Sequence, residues 1–241
     1  GQQAIAATFA EMERLVTLFN WRLPNSPLAL LNENGRLLHP PAELVDLLLQ
    51  AQQISALSAG AFDVTMQPLL TALRTGTNPD QARQLVDYRQ MQISDQEIRL
   101  ASGMQVTLDG IAKGRVVDGG TAVLQTLGYK NILVEAGGDL VAQGSRSDGQ
   151  PWRIGVTHPR RTDTPLSVLP ITNQAAATSG DYQHSFSQDF SSHPIIDPRQ
   201  AVSSAALASV TVLAPTAALA DALSTAVMVL GPQQGITLID Q

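Results

Sequence analysis

The 241-residue chain contains no cysteine, and aromatic residues make up only 4% of it. The absence of cysteine excludes disulfide bonds and thiolate chemistry, and it leaves the redox compartment undetermined. Charged residues are also scarce, at 15%, and the formal net charge is −6. This charge argues against a nucleic-acid-binding protein, whereas 44% hydrophobic residues are enough for a substantial core. No apolar run approaches the roughly 18 residues that cross a membrane, so we expect no transmembrane segment.

The spacing of apolar residues predicts four helices, over residues 4–19, 41–59, 114–127 and 215–231. Between them, short apolar segments predict strands in "EIRLA", "MQVTL", "NILVEAG", "WRIGVTH", "LSVLPIT", "AAATSG" and "ASVTVLA". The first two of these are expected to pair with each other around "SG". Polar loops are predicted over residues 145–150 and 159–165. Because helices and strands alternate unevenly, we expect an α+β fold with mixed, largely antiparallel sheets and packed helices.

The last predicted helix, "ADALSTAVMVLG", carries one carboxylate, Asp221, among apolar residues. No Lys or Arg occurs from Gln200 to the C-terminus, so no cation close in sequence neutralises it. Thr225 lies four residues on and shares its helix face, with Ser224 beside it. A buried carboxylate needs a partner, and Mg²⁺ prefers carboxylate and hydroxyl oxygens. The alternative is an exposed aspartate near the helix N-terminus, where the helix dipole favours it.

Three glycine-rich segments are further candidates for ligand binding, and each can also be an ordinary turn without a ligand. "DGIAKG" places Lys113 between two glycines, which is typical of a turn that binds phosphate, although the Walker A spacing is absent. The alternative is a plain strand-to-helix turn. "EAGGD" permits close approach to a ligand or forms a hairpin turn, and "ATSGDY" lines a pocket or simply turns.

Two other segments contain residues that can titrate. "SHPIIDP" contains His193, a candidate general base; a single histidine is more often structural or solvated. "GAFDVT" places Asp63 directly after the second predicted helix; the alternative is a helix cap followed by a core phenylalanine.

Six segments, taken in order, resemble the ApbE family, and the resemblance covers the chain from about residue 9 to the end. The segments are "GAFDVT", "GIAKG", "AGGD", "ATSGDY", "HPIIDP" and "SVTVLAPTAALADALSTAVMVLG". These are flavin transferases that use FAD to attach FMN to a protein threonine. The resemblance implies a single domain of this type over residues 1–241, without the family's first N-terminal strand. It implies FAD as substrate, Mg²⁺, release of AMP, and an acceptor protein with a target Thr or Ser. It also implies a periplasmic protein, or one on the outer face of the cytoplasmic membrane, after loss of a signal peptide.

The same resemblance implies roles for individual residues. His193 matches the catalytic base that takes the proton from the acceptor hydroxyl. The positions that match flavin-binding segments are Ala61, Phe62, Asp63, Thr107, Lys113 and Ala208. The positions that match the metal site are Gly110, through its carbonyl, with Asp221, Ser224 and Thr225.

Two other functions stay open. An Mg²⁺-dependent FAD pyrophosphatase would use the same residues and release free FMN. A non-catalytic flavin-binding relative is favoured by the missing first strand and by two departures from the family pattern, Pro27 and Thr107. Asp221, Thr225 and His193 oppose it, because a protein that only binds flavin needs neither a metal site nor a base.

Overall fold

The computed structural model describes residues 1–183 and 185–240. Its helices are α1 (Gln2–Phe19), α2 (Pro27–Asn34), α3 (Ala42–Leu57), α4 (Gln67–Thr75), α5 (Pro79–Arg83), α6 (Ala112–Thr126) and α7 (Ala217–Ile239). Its strands are β1 (Arg36–Leu38), β2 (Gln92–Ile93), β3 (Glu97–Arg99), β4 (Ile132–Ala136), β5 (Asp139–Gln143), β6 (Trp152–His158), β7 (Arg161–Ile171), β8 (Gln174–Gly180), β9 (Ile196–Asp197), β10 (Val202–Ser203) and β11 (Ser209–Ala214).

The strands named above pair antiparallel in small sheets. The largest has the order β11-β8-β5-β4, and a second has the order β1-β3-β2. β6 with β7, and β9 with β10, form two-stranded pairs. Helices α6 and α7 pack against the four-stranded sheet and against each other, and α1 packs on α6. The predicted α+β fold with largely antiparallel sheets is confirmed.

Helix α7 lies in the core and holds the carboxylate that the sequence singles out. The Thr216 hydroxyl accepts a hydrogen bond from the backbone of its first turn, and the helix breaks at Gly231, whose φ is 76°. By length and composition alone, α7 is long and apolar enough to cross a membrane, which does not show that it spans one. Its packing in the core explains its apolar character, because a core helix meets the same criteria.

The helices that periodicity predicts are present, but one predicted hairpin is wrong. "MQVTL" is not a strand of a sheet: the Asn32 side chain bonds both the N–H and the carbonyl of Val106, at 2.6 and 2.8 Å. "EIRLA" contains β3, which pairs with β1 and β2 instead. The loop predicted over residues 159–165 is also wrong, because β7 begins at Arg161. β5 was not predicted, since its first residue follows a glycine pair that indicates a turn.

Candidate active site

A cavity of about 730 Å³ opens beside the start of α6, the first turns of α7 and the end of β8. Its volume is typical of small-molecule sites. The residues predicted from sequence that line it are Ala61, Phe62, Asp63, Thr107, Gly110, Lys113, Asp221 and Thr225. Three predicted residues, His193, Ala208 and Ser224, are not part of its lining. The fold therefore gathers the metal and flavin candidates from both halves of the chain around one space.

The crossing of α6 and α7 fixes the position of Asp221. A Cβ atom at Gly114 would overlap the carbonyl oxygen of Ala217 and lie 2.5 Å from the nitrogen of Ala218. Only a glycine allows the two backbones to approach so closely. One turn further along α6, Asp118 accepts hydrogen bonds from the N–H groups of Ala217 and Ala218, at 2.8 and 2.9 Å. Asp118 thus caps α7 from the neighbouring helix and holds its first turn against the start of α6.

Asp221 has a cationic partner that comes from a distant part of the chain. Lys113 Nζ lies 3.5 Å from Asp221 Oδ1 and 2.7 Å from Asp139 Oδ2. The N–H of Gly114 donates to the other oxygen of Asp221 at 3.2 Å. Both aspartates are buried, whereas the Lys113 side chain is 43% exposed and lines the cavity. The Lys113 side chain therefore contacts both buried carboxyl groups and also lines the cavity.

Burial changes the titration of this cluster. It raises the pKa of Asp221 to about 7, against the lowering effect of the Lys113 charge. It also raises the pKa of Asp139. Burial opposes the charged form of Lys113, but the two carboxylates outweigh that cost and raise the lysine pKa. The cluster therefore contains a charged lysine and a carboxyl group that gives up its proton near neutral pH.

Three hydroxyl groups lie about one helical turn from Asp221. Ser179 Oγ, near the end of β8, is 2.8 Å from Ser224 Oγ and 3.2 Å from Thr225 Oγ1. Ser224 also donates to the carbonyl of Asp221 at 2.9 Å and lies behind the cavity wall. A Cβ at Gly110 would lie 3.3 Å from Thr225 Oγ1, so the Gly110 backbone reaches the same place. Three of the four predicted metal residues, Gly110, Asp221 and Thr225, thus line one wall of the cavity, with oxygen atoms of the kind that Mg²⁺ prefers, and Ser224 lies behind them.

The flavin-binding segment predicted at residues 61–63 lines the cavity, but both oxygens of the Asp63 carboxylate already accept hydrogen bonds from other residues of the chain. One oxygen accepts hydrogen bonds from the Thr65 N–H and hydroxyl, at 2.8 and 2.7 Å. The other accepts from the N–H of Tyr88 at 3.1 Å. Burial raises the pKa of Asp63. In this arrangement Asp63 shapes the wall, while Ala61 and Phe62 offer apolar surface to a ligand.

The remaining flavin candidates, Thr107 and Ala208, differ in placement. Thr107 lines the cavity, donates its N–H to the Val64 carbonyl at 2.8 Å, and accepts from the Asp109 N–H at 3.3 Å. Ala208 lies just before β11, and its carbonyl accepts from the N–H of Asp181 at 3.0 Å. Thr107 is therefore placed to meet a ligand, and Ala208 stabilises the neighbouring loop.

The predicted base, His193, is buried beside the cavity. Its Nδ1 accepts from the N–H of Ile195 at 3.3 Å, so Nε2 carries the proton and donates to the Ser204 carbonyl at 2.7 Å. The next residues, Pro194 and Ile195, line the cavity. Both ring nitrogens are therefore occupied, and His193 accepts a substrate proton only if the bond from Ile195 opens.

Sequence reasoning missed several residues of the site. Asp139 and Ser179 stand in "EAGGD" and "ATSGDY", which were interpreted only as segments. Arg22 and Arg74 also line the cavity, and Arg22 makes a two-point ion pair with Asp109 at 2.9 and 3.1 Å. Nothing in the local pattern around either arginine indicates the site, because each reaches the cavity only through the tertiary fold.

Known proteins that are similar to this chain show which family it belongs to. A family model described as "ApbE family" matches residues 2–241. The chain belongs to the ApbE family. An FAD:protein FMN transferase of Haemophilus influenzae is 29% identical over 97% of this chain and 75% of its own length. One of Klebsiella pneumoniae is 31% identical over 79% of this chain and 60% of its own length.

The fold is shared as well. A crystal structure of the ApbE protein of Thermotoga maritima superposes with a TM-score of 0.90 at 27% identity, covering 99% of this chain and 82% of that one. The chain thus spans between 60% and 82% of the length of these three relatives.

Proposed function

We propose that this ApbE-family chain is an enzyme that transfers FMN from FAD to a Thr or Ser of an acceptor protein, releases AMP and depends on Mg²⁺. The observation that carries the proposal is the wall of buried Asp221, with Lys113 and the Thr225 hydroxyl, facing a cavity of about 730 Å³. The cation and the oxygen atoms suit a diphosphate and the metal ion that accompanies it. The names of the relatives support the choice of FAD as substrate and of a protein as acceptor.

The donor atoms present fit an Mg²⁺ ion. Among the described residues, no group of three or more His, Cys, Asp or Glu side chains could hold a metal. A cation here would instead be held by Asp221, Thr225 and the Gly110 carbonyl, all of them oxygen donors. One oxygen of the buried Asp139 also has no hydrogen-bond partner in the described structure. When bound, Mg²⁺ would neutralise charge on the diphosphate as the bond between its phosphates breaks.

The chain itself supplies binding and orientation. Lys113 presents its ammonium group to the cavity, where a diphosphate oxygen can accept a hydrogen bond from it. Ala112 and Lys113 in the first turn of α6 line the same space, and the positive end of the helix dipole there favours an anion. Ala61 and Phe62 add an apolar surface to the same lining, against which an aromatic ring can pack.

The test of this function is a product assay. Purified chain is incubated with FAD and Mg²⁺, with and without protein from the source cells, and the products are separated by chromatography and denaturing gel. A transferase gives AMP together with fluorescent flavin that stays on denatured protein. Equal amounts of AMP and free FMN under both conditions would indicate the FAD pyrophosphatase instead, and no AMP would contradict both enzymes.

His193→Ala should lower the rate of FMN transfer by about 10²-fold while leaving FAD affinity within about twofold, because a base acts on the reaction step. The measurement is the transfer rate at saturating FAD, with an FAD titration and a melting curve on the same preparation. The melting curve is needed since the ring bonds to Ser204 and Ile195. A loss of FAD binding that accounts for the whole rate effect would contradict the role of His193 as a base.

Mg²⁺ affinity should fall as the pH drops through 7. Since burial raises the pKa of Asp221 to about 7, the metal-free protein holds a proton on this carboxyl at lower pH. The metal must displace that proton, so the affinity decreases by up to about tenfold per pH unit below 7 and levels off above it. Calorimetric titration with Mg²⁺ between pH 5.5 and 8.5 measures this slope. An affinity that is constant over this range would show that Asp221 does not exchange a proton for the metal.

We also infer, from the family resemblance, that the chain works in the periplasm or on the outer face of the cytoplasmic membrane. Fractionation of the source cells, with immunodetection of the chain, tests this location.

A further inference from the structure

The tip of the β6–β7 hairpin carries an arginine that reaches the end of β8. Arg160 donates from one terminal nitrogen to Asp181 Oδ1 at 2.7 Å and from the other to Oδ2 at 2.6 Å. This two-point geometry matches the planar guanidinium group to a carboxylate, and a lysine cannot reproduce it. The Asp181 N–H also donates to the carbonyl of Ala208, directly before β11. The hairpin tip is therefore bonded to a residue that the four-stranded sheet holds in place.

The same guanidinium group lies over an aromatic ring of the loop that follows β8. Arg160 Cζ is 4.3 Å from the centroid of the Phe190 ring, a distance at which a cation and an aromatic face attract each other. Phe190 has a φ of 60°, in the left-handed region that residues with a side chain rarely adopt. Such a conformation persists where the surrounding contacts fix it. Arg160 thus links a carboxylate anchored to the sheet with a strained residue of the loop.

The loop of residues 185–192 is held together by its own hydrogen bonds. Near its middle, Asp189 Oδ1 accepts from the hydroxyl and the N–H of Ser191, at 2.8 and 3.1 Å. Across its base, the N–H of Phe186 donates to the carbonyl of Ser192 at 2.7 Å. Because these bonds connect the two ends and the middle of the loop, we expect residues 185–192 to move as one unit.

One aromatic residue of this loop, Phe186, lines the cavity of the candidate active site. It is 50% exposed, so its ring offers a surface on which a flat ligand ring can stack. Arg160 itself is not among the described residues that line the cavity. Since Phe186 and Phe190 belong to one bonded loop, the contact of Arg160 with Phe190 also fixes where Phe186 lies.

We propose that Arg160 is a positioning residue of the candidate active site. By linking Asp181 to Phe190 it holds the 185–192 loop against the cavity, so that Phe186 forms part of the wall that a ligand ring meets. Arg160 acts only through Phe186 and does not touch the ligand. The proposal rests on the proposed function for the identity of the ligand, FAD, but not for the link between Arg160 and the loop.

Hydrogen exchange of the ligand-free chain, read by mass spectrometry, tests whether Arg160 holds the loop. In Arg160→Gln we expect peptides that cover residues 185–192 to exchange at least about fivefold faster, while peptides of α1 keep their rate. Arg153→Gln, which removes an exposed arginine from β6 of the same hairpin, should leave the exchange of the loop unchanged. Phe190→Leu, which removes the ring and keeps the ion pair, should loosen the loop as well and replaces Arg160→Gln if that variant does not fold. Exchange of the loop at the unmodified rate in these variants overturns the proposal.

A double-mutant cycle on FAD affinity tests whether Arg160 acts through Phe186. We expect Phe186→Ala to weaken FAD binding about tenfold and Arg160→Gln about fourfold, with AMP release at saturating FAD within about twofold in Arg160→Gln. The double variant should bind FAD like Phe186→Ala alone, because the loop then has no ring to position. Effects that multiply to about 40-fold would show that Arg160 acts by another route and overturn the proposal. If the unmodified chain binds no FAD but the exchange of the loop responds as expected, the link between Arg160 and the loop stands and the proposed transferase does not.

Discussion

Replacing Asp221 with asparagine should abolish Mg²⁺-dependent release of AMP from FAD. Asparagine keeps the size of the side chain but removes the charge that holds a cation, in a buried position where charge interactions are strong. Since the cation and Lys113 both depend on that charge, we expect the rate to fall by at least about 10³-fold. The measurement is AMP formation at saturating FAD over a range of Mg²⁺ concentrations.

The matched control is Asp240→Asn, which removes an exposed carboxylate just beyond the end of the same helix. It should leave the rate and the Mg²⁺ dependence unchanged. Melting curves should show that Asp221→Asn remains folded, because neutralising one buried carboxyl removes a desolvation cost. Normal turnover in Asp221→Asn would mean that the metal lies elsewhere or that none is used.

Gly114→Ala should destabilise the protein and disable the site together. The new methyl group would overlap the carbonyl of Ala217 and lie 2.5 Å from the nitrogen of Ala218, so α7 must shift. Alanine favours a helix over glycine by about 1 kcal/mol, but the overlap with backbone costs more, and we expect a net loss of about 3 kcal/mol. For a chain of this size, that corresponds to a melting temperature lower by roughly 10 °C.

The same shift would separate Lys113 from Asp221, so Mg²⁺ binding should weaken in any protein that remains folded at low temperature. Gly155→Ala is the control, because an added Cβ there meets its nearest neighbour at an ordinary 3.7 Å. If Gly114→Ala melts like the unmodified chain and binds Mg²⁺ normally, the close crossing of α6 and α7 does not position the site.

The sequence predicts most long elements of this fold for a simple physical reason. α1, α3 and α6 bury one face each, so their apolar residues recur at helical spacing. β5 and the segment around Val106 do not follow such a rule. β5 is buried on both faces and follows two glycines, and Val106 bonds to a side chain of α2 rather than to a strand. Their pairing depends on tertiary contacts that no local pattern records.

In the candidate site, too, local sequence predicts some features, while others depend on tertiary contacts. The sequence indicates that Asp221 needs a partner, because the helix around it is apolar and no basic residue follows Gln200. It does not indicate that the partner in the chain is Lys113, or that Asp139 shares it, because these residues meet only when α6, β5 and α7 pack together. The family resemblance supplies the names of the metal and flavin positions, whereas their geometry comes from the fold.

The most direct test of the account is a titration of the purified chain with FAD, with and without Mg²⁺, followed by flavin fluorescence and by chromatography for AMP. The account predicts that FAD binds at micromolar concentration or below and that AMP appears only when Mg²⁺ is present. FAD binding with no AMP under either condition would contradict catalysis and leave a flavin-binding protein. No binding at all would contradict the assignment of the cavity to FAD.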